Sequence, residues 1–270
     1  MALVPFPGAA APDDGDPHIH LTDPDVFDDA GAKMSFLDHL DELRKRLINC
    51  LIALVVGCVI SFIFINRTFE FVMLPLYQML PPGGSLIFTQ GSEAFILYVK
   101  VGGLVGLILA IPLILIQVWL FIAPGLYSNE KKFAIPFVVF STVFFLVGAL
   151  FSHYVAFPWT WKFFIGFQTP YMTFMPKISE AFSLYVTMLL GFGLIFQMPT
   201  LVLFLARMGV VSARFLIQHT KYAVLIIFII AAVISPGTDP MSQVLMAGPM
   251  MGLYGISILV AWMFGKRKPA

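Results

Sequence analysis

The groups through which this chain could do chemistry are few, and most sit beside long apolar runs. Glu42 lies in His39–Leu47, HLDELRKRL, and Glu130 stands directly before Lys131 and Lys132. In a chain this apolar, these are among the few places where ionic chemistry can happen, with a carboxylate accepting hydrogen bonds from a cation. Each also has an ordinary role. Glu42 is four residues ahead of Arg46, a helix-surface pair worth ~0.2–0.5 kcal/mol, and Glu130 could simply balance its two lysines. Both readings stay open on the residues alone. Arg44 projects nearer the apolar side of the same stretch, where it either snorkels to headgroups or braces Glu42. Gln197 and Lys100 are polar groups within apolar runs. Asp239, just before Pro240, has the form of a helix N-cap.

Other chemistry is missing from the pattern. There is no G-x-x-x-x-G-K-[ST] phosphate loop and no H-E-x-x-H zinc pattern. His18, His20, His39, His153 and His219 do not pair at ligand spacing outside the N-terminal tail. No catalytic residue, metal or cofactor is expected, nor a nucleic-acid partner. Any transport would draw on a gradient or a partner rather than on ATP hydrolysis by this chain. Cys50 and Cys58 fall in one apolar run, eight residues apart on one helix, and read as packing residues.

The elements that must position these groups follow from composition. Of 270 residues, 59% are hydrophobic and 11% charged; a soluble domain carries about 25% charged residues. With a mean hydropathy of +0.92, the chain reads as an all-α polytopic membrane protein. Residues 1–34 form an acidic, proline-rich tail expected to be disordered, 35–264 a membrane domain, and 265–270 a basic end. Ser35 and Asp38 suggest a capping box. From there Phe36, Leu37, Leu40, Leu43 and Leu47 share one helical face, apolar toward membrane or protein, with Glu42 opposite toward water.

Six spans are expected, at Leu47–Ile65, Ala94–Ile122, Phe133–Phe157, Ala181–Leu205, Tyr222–Ile234 and Met241–Phe264. Pro112 predicts a kink in the second, and the fifth is short. Asn66–Glu93 and Pro158–Glu180, broken by prolines, read as loops. Gly102/Gly106 and Gly248/Gly252 permit close helix approach. Lys33, Arg44, Lys45, Arg46, Lys131, Lys132, Arg207, Arg214, Lys221, Lys266, Arg267 and Lys268 fall on one side, against Arg67, Lys162 and Lys177 on the other. That asymmetry puts both termini in the cytoplasm.

Taken together, HLDELRKRL at 39–47, Gln117–Tyr127 (QVWLFIAPGLY) followed by Glu130-Lys131-Lys132, Pro75-Leu76 with Leu80-Pro81, and Ser235-Pro236 with Asp239 and Ser242-Gln243 resemble the TatC family. The likeness runs in order from about Ser35 to Phe264. It implies a six-helix TatC-like bundle in the bacterial cytoplasmic (inner) membrane. It also implies a non-enzymatic receptor for twin-arginine signal peptides and core of a translocon for folded proteins. Its partners in the family are single-span subunits of the TatA and TatB types, docking along the fifth and sixth helices. The resemblance assigns signal-peptide binding to Glu42 and Glu130, adds Phe121 as a functional aromatic, and gives Pro75 and Asp239 transport-related loop roles. Gln197 and Gly255 stand where the family commonly has glutamate, so a titrating relay at either position is not carried over. Gln197 is instead expected to make a polar contact to another helix or to the inserted signal peptide. A small-molecule secondary transporter is the alternative, and would need facing charges or broken helices at mid-membrane.

Overall fold

A computed structural model describes residues 36–80, 84–122, 134–169, 171, 174–235 and 240–265. The described part is helical, and five of its helical runs are long and apolar enough to cross a membrane. A shorter sixth completes the bundle.

The first helix, α1 (Phe36–Ile63), runs on from the charged stretch into the apolar one without a break. Chain contacts divide at Glu42: one unit ends there, and the second comprises Leu43 onward. Within the second unit α1 presents Ala53 and Gly57 inward and leaves Leu43, Leu47, Leu51 and Val55 exposed. Its leucine stripe faces outward, the membrane side of the two surroundings expected for it, while Arg46 and Asn49 reach across to α3 and Arg44 and Lys45 stay exposed. In a bilayer, lipid is as good a home for leucine as a protein core, whereas polar groups must find partners.

After a turn at Phe64 comes α2 (Ile65–Gln78), in a stretch expected to be loop. Val72, Met73, Pro75 and Leu76 are buried on one side while Glu70, Phe71, Tyr77 and Gln78 are exposed, so α2 is an amphipathic helix. Phe69 stacks on Tyr98 at 4.1 Å, fixing it against the next span. Proline inside a helix costs a hydrogen bond; here the burial of Pro75 and its neighbours outweighs that loss. That span, α3 (Glu93–Ile122), contains Pro112 and carries Lys100 exposed near its start.

The third span also exceeds its expected length. α4 (Ala134–Phe151) passes through a π-helical turn, Ser152–Ala156, into α5 (Phe157–Ile165), one run that ignores Pro158 as a stop. In the π turn Phe157 N–H donates to Ser152 C=O, five residues back, and Pro158 follows at the start of α5, where a missing donor is tolerated. The fourth span is α6 (Ile178–Ile195) and α7 (Met198–Arg207), broken at Phe196–Gln197. A short α8 (Ala213–Gln218), capped by Ser212 Oγ on Phe215 N–H, lies in the connection. Then α9 (Thr220–Ile234) and α10 (Pro240–Phe264) close the chain.

Where helices cross tightly, glycine permits it. A Cβ on Gly106 of α3 would lie 2.6 Å from Cys58 Cα of α1, and one on Gly57 would collide with the Gly106 carbonyl. On α10, by contrast, nothing lies within 4 Å of the Cβ positions of Gly248, Gly252 and Gly255, so that glycine face is open. The larger core is built around Tyr185, Met188 and Phe192 of α6, against Met73, Leu76, Phe145 and Phe157. The two loops expected outside the cell meet: Ile178 N–H donates to Ile87 C=O at 2.9 Å, and Ile87 N–H to Pro176 C=O at 3.2 Å. Their pairing agrees with the alternation of spans read from the charges.

Candidate functional site

At the opposite end from those loops, the polar residues of α1 are held against α3. Arg46 Nη1 donates to Gln117 Oε1 at 3.3 Å, and Asn49 Nδ2 donates to the same oxygen at 3.4 Å. One glutamine thus ties the entrance of α1 to the last turns of α3. Neither Gln117 nor Asn49 stands out in the sequence by charge. Gln117 could have been singled out by the rule that drew attention to Gln197, since it too is an amide within an apolar run.

Among the residues expected to act, Glu42 lies on α1 one turn before Arg46 and is half-buried, while Arg44 is exposed. Phe121 is half-buried one residue before the end of α3. Glu130 and Asp239 lie outside the described residues, as do residues 1–35 and 266–270. Pro75 is not in a loop: it is buried inside α2, so its part in the structure is packing that helix.

A second polar knot lies deeper. Trp119 Nε1 of α3 donates to Ser141 Oγ of α4 at 2.9 Å, both residues buried. Gln197 Nε2, at the α6–α7 break, donates to the Ser141 backbone carbonyl at 2.7 Å. Serine 141 therefore links three spans. Around it Trp119, Phe137 and Phe204 form a mutual aromatic cluster with centroids 5.0–5.5 Å apart. The amide at 197 thus works as a donor to a carbonyl, a task an ionised carboxylate, acceptor only, could not perform. At position 255 the exposed glycine touches no other helix, so a longer side chain there would point away from the bundle.

Among the described residues no group of three or more His, Cys, Asp or Glu is placed to hold a metal. Cys50 and Cys58 are free thiols. What this end of the bundle offers is a fixed set of polar side chains and an aromatic at the membrane boundary. Such an arrangement can bind and position a charged segment.

These features define a multi-pass helical membrane protein whose first and second spans are tied by polar side chains at one end. Comparison with known proteins specifies it further. The family model for Sec-independent protein translocase protein (TatC) matches residues 38–249. A Sec-independent protein translocase protein TatC from Desulforapulum autotrophicum is 44% identical over 236 residues, covering 87% of each chain. One from Helicobacter pylori (strain 26695) is 41% identical over 225 residues, covering 83% of this chain and 86% of its own. A crystal structure of a twin-arginine translocase receptor, TatC, superposes with a TM-score of 0.72 at 37% identity, over 83% of this chain and 97% of its own. A second, in DDM, gives 0.74 at 36%, over 85% and 100%.

The chain belongs to the TatC family. It is accordingly a non-enzymatic subunit of the Sec-independent protein translocase, a multi-pass protein of the bacterial inner membrane. It functions with cargo proteins and other Tat subunits.

Proposed function

We propose that this chain captures cargo by the twin-arginine motif of its signal peptide, using Glu42 and Glu130 as the two acceptors. Paired guanidiniums present two planar forks of donors, and two separate carboxylates can each take one in bidentate fashion. Supporting this is the family match over residues 38–249, which takes in both glutamates and the end of α3. Phe121, at that same end, offers an apolar surface to the residues following the arginines, and Arg44 sets the local charge. Single-span subunits of the TatA and TatB types dock along α9 and α10, whose outer faces are rich in exposed apolar residues. Folded cargo then crosses on a transmembrane gradient.

Photo-crosslinking of a synthetic signal peptide to the purified chain tests the reading. Glu42→Gln and Glu130→Gln should each weaken capture of an RR peptide, and an RR-to-KK peptide should be captured poorly by the unmodified chain. Undiminished crosslinking in both variants refutes the assignment. Small-molecule transport finds no support. The amide at the α6–α7 break, where a mid-membrane substrate site would be sought, is already engaged by Ser141.

A further inference from the structure

The cytoplasmic halves of α4, α7 and α10 leave a partly open cavity of about 270 Å³ between them. Phe137, Phe140, Phe144, Leu203 and Val260 make its walls. Two polar groups reach it. Arg207, the last residue of α7, closes the cytoplasmic end, its guanidinium 5.7 Å from the Phe264 ring centroid. Thr200, seven residues earlier and so ~10 Å deeper along the helix, is 2% exposed. Its hydroxyl has no hydrogen-bond partner among the described residues. A buried hydroxyl without a partner is costly, and in hydrocarbon no water arrives to satisfy it.

We propose that this cavity is a binding site for one anionic phospholipid of the cytoplasmic leaflet, with its phosphate at Arg207 and an acyl chain along Phe140, Phe144 and Leu203. The Thr200 hydroxyl then donates to an ester carbonyl below the phosphate. Charge supports the headgroup assignment: besides Arg207, the sequence places Lys131 and Lys132 shortly before α4 and Lys266, Arg267 and Lys268 directly after α10. Basic groups at this surface attract anionic lipid. Size supports a lipid chain over a protein helix. A helix with side chains is ~10–12 Å wide, and a cavity of about 270 Å³ admits a hydrocarbon chain but not a transmembrane segment. The site is separate from the Arg46–Gln117 contact and does not depend on signal-peptide capture.

The test uses the full chain, purified and delipidated, then offered phosphatidylglycerol or phosphatidylcholine with identical acyl chains. Native mass spectrometry counts what is retained. One basic group near the surface favours anionic lipid by ~1 kcal/mol, so phosphatidylglycerol should be retained about fivefold better. Arg207→Gln should lower that preference while Arg207→Lys keeps most of it, and Val260→Trp should lower retention of both lipids by filling the groove. Equal retention of the two lipids by the unmodified chain overturns the proposal. So does an unchanged preference in Arg207→Gln, or full retention in a folded Val260→Trp. A photo-crosslinker at Phe140 that captures a protein helix in native membranes, in place of lipid, overturns it as well. If Val260→Trp fails to fold, the Arg207 pair still decides.

Discussion

Replacing Ser141 with alanine should loosen the bundle by breaking one hydrogen bond that water cannot replace. Ser141 is 1% exposed and Trp119 5%, and the indole N–H meets the hydroxyl at 2.9 Å between α3 and α4. In water-soluble cores an orphaned donor costs ~1–3 kcal/mol. Between membrane helices the measured worth is smaller, ~0.6 kcal/mol on average and ~1.7 at most, because the dissociated helices find other partners in the bilayer. The short distance and full burial put this bond near the upper end, ~1.5 kcal/mol. Trp119→Phe removes the same bond but also trims the ring packed on Phe137 and Phe204, so it should cost more. A double-mutant cycle separates the two effects. Unfolding of the purified protein in mixed micelles, followed for wild type, Ser141→Ala, Trp119→Phe and the pair, should return a coupling of ~0.6–1.7 kcal/mol. If Ser141→Ala costs as much in the Trp119→Phe background as in the wild type, the bond contributes nothing and the reasoning fails.

Three further outcomes are expected. Gly106→Ala forces a Cβ to 2.6 Å from Cys58 Cα and should destabilise by ~1–3 kcal/mol, whereas Gly252→Ala, with nothing within 4 Å, should be neutral or gain up to ~1 kcal/mol; thermal melts in detergent compare them. Gln197→Leu removes the donor to the Ser141 carbonyl and should reduce export of a folded reporter in cells lacking the native protein, with a stability loss of ~0.6–1.7 kcal/mol; intact export would show that this contact is dispensable. At 15 residues, ~22 Å, α9 is shorter than a hydrocarbon core of ~30 Å. Local thinning of the bilayer beside it predicts that one inserted apolar turn lowers transport, and unimpaired transport would exclude that role.

The site was only partly legible in advance. Glu42, Glu130 and Phe121 are expectations drawn from the resemblance to TatC, and Gln197 is marked by standing, within an apolar run, where that family commonly has glutamate. Their neighbours carry no such mark. Nothing local in the sequence marks Ser141 as the hub for Trp119 and Gln197, because those pairings join residues on different spans, or marks Thr200 and Arg207, both on α7, as facing a cavity whose other walls come from α4 and α10. Pro75 shows the opposite error. Proline and glycine punctuation between Asn66 and Glu93 suggested a loop, although Val72, Met73 and Leu76 at helical spacing already described a buried face. Pro158 misled in the same way, because the π turn ahead of it carries the helix to Ile165.

Sequence by itself determined the solvent, the span order and the direction of insertion. Long uncharged runs have no stable place in water, and twelve basic residues on one side against three on the other orient the chain. Only the tertiary structure decided which face of each helix meets protein and which meets lipid. The physical reason is that both surroundings are equally apolar: leucine is at home in either, as the outward stripe on α1 shows. The distinction rests on what lipid cannot supply, which is close backbone approach at Gly57 and Gly106 and partners for amides and hydroxyls at Gln117, Ser141 and Gln197.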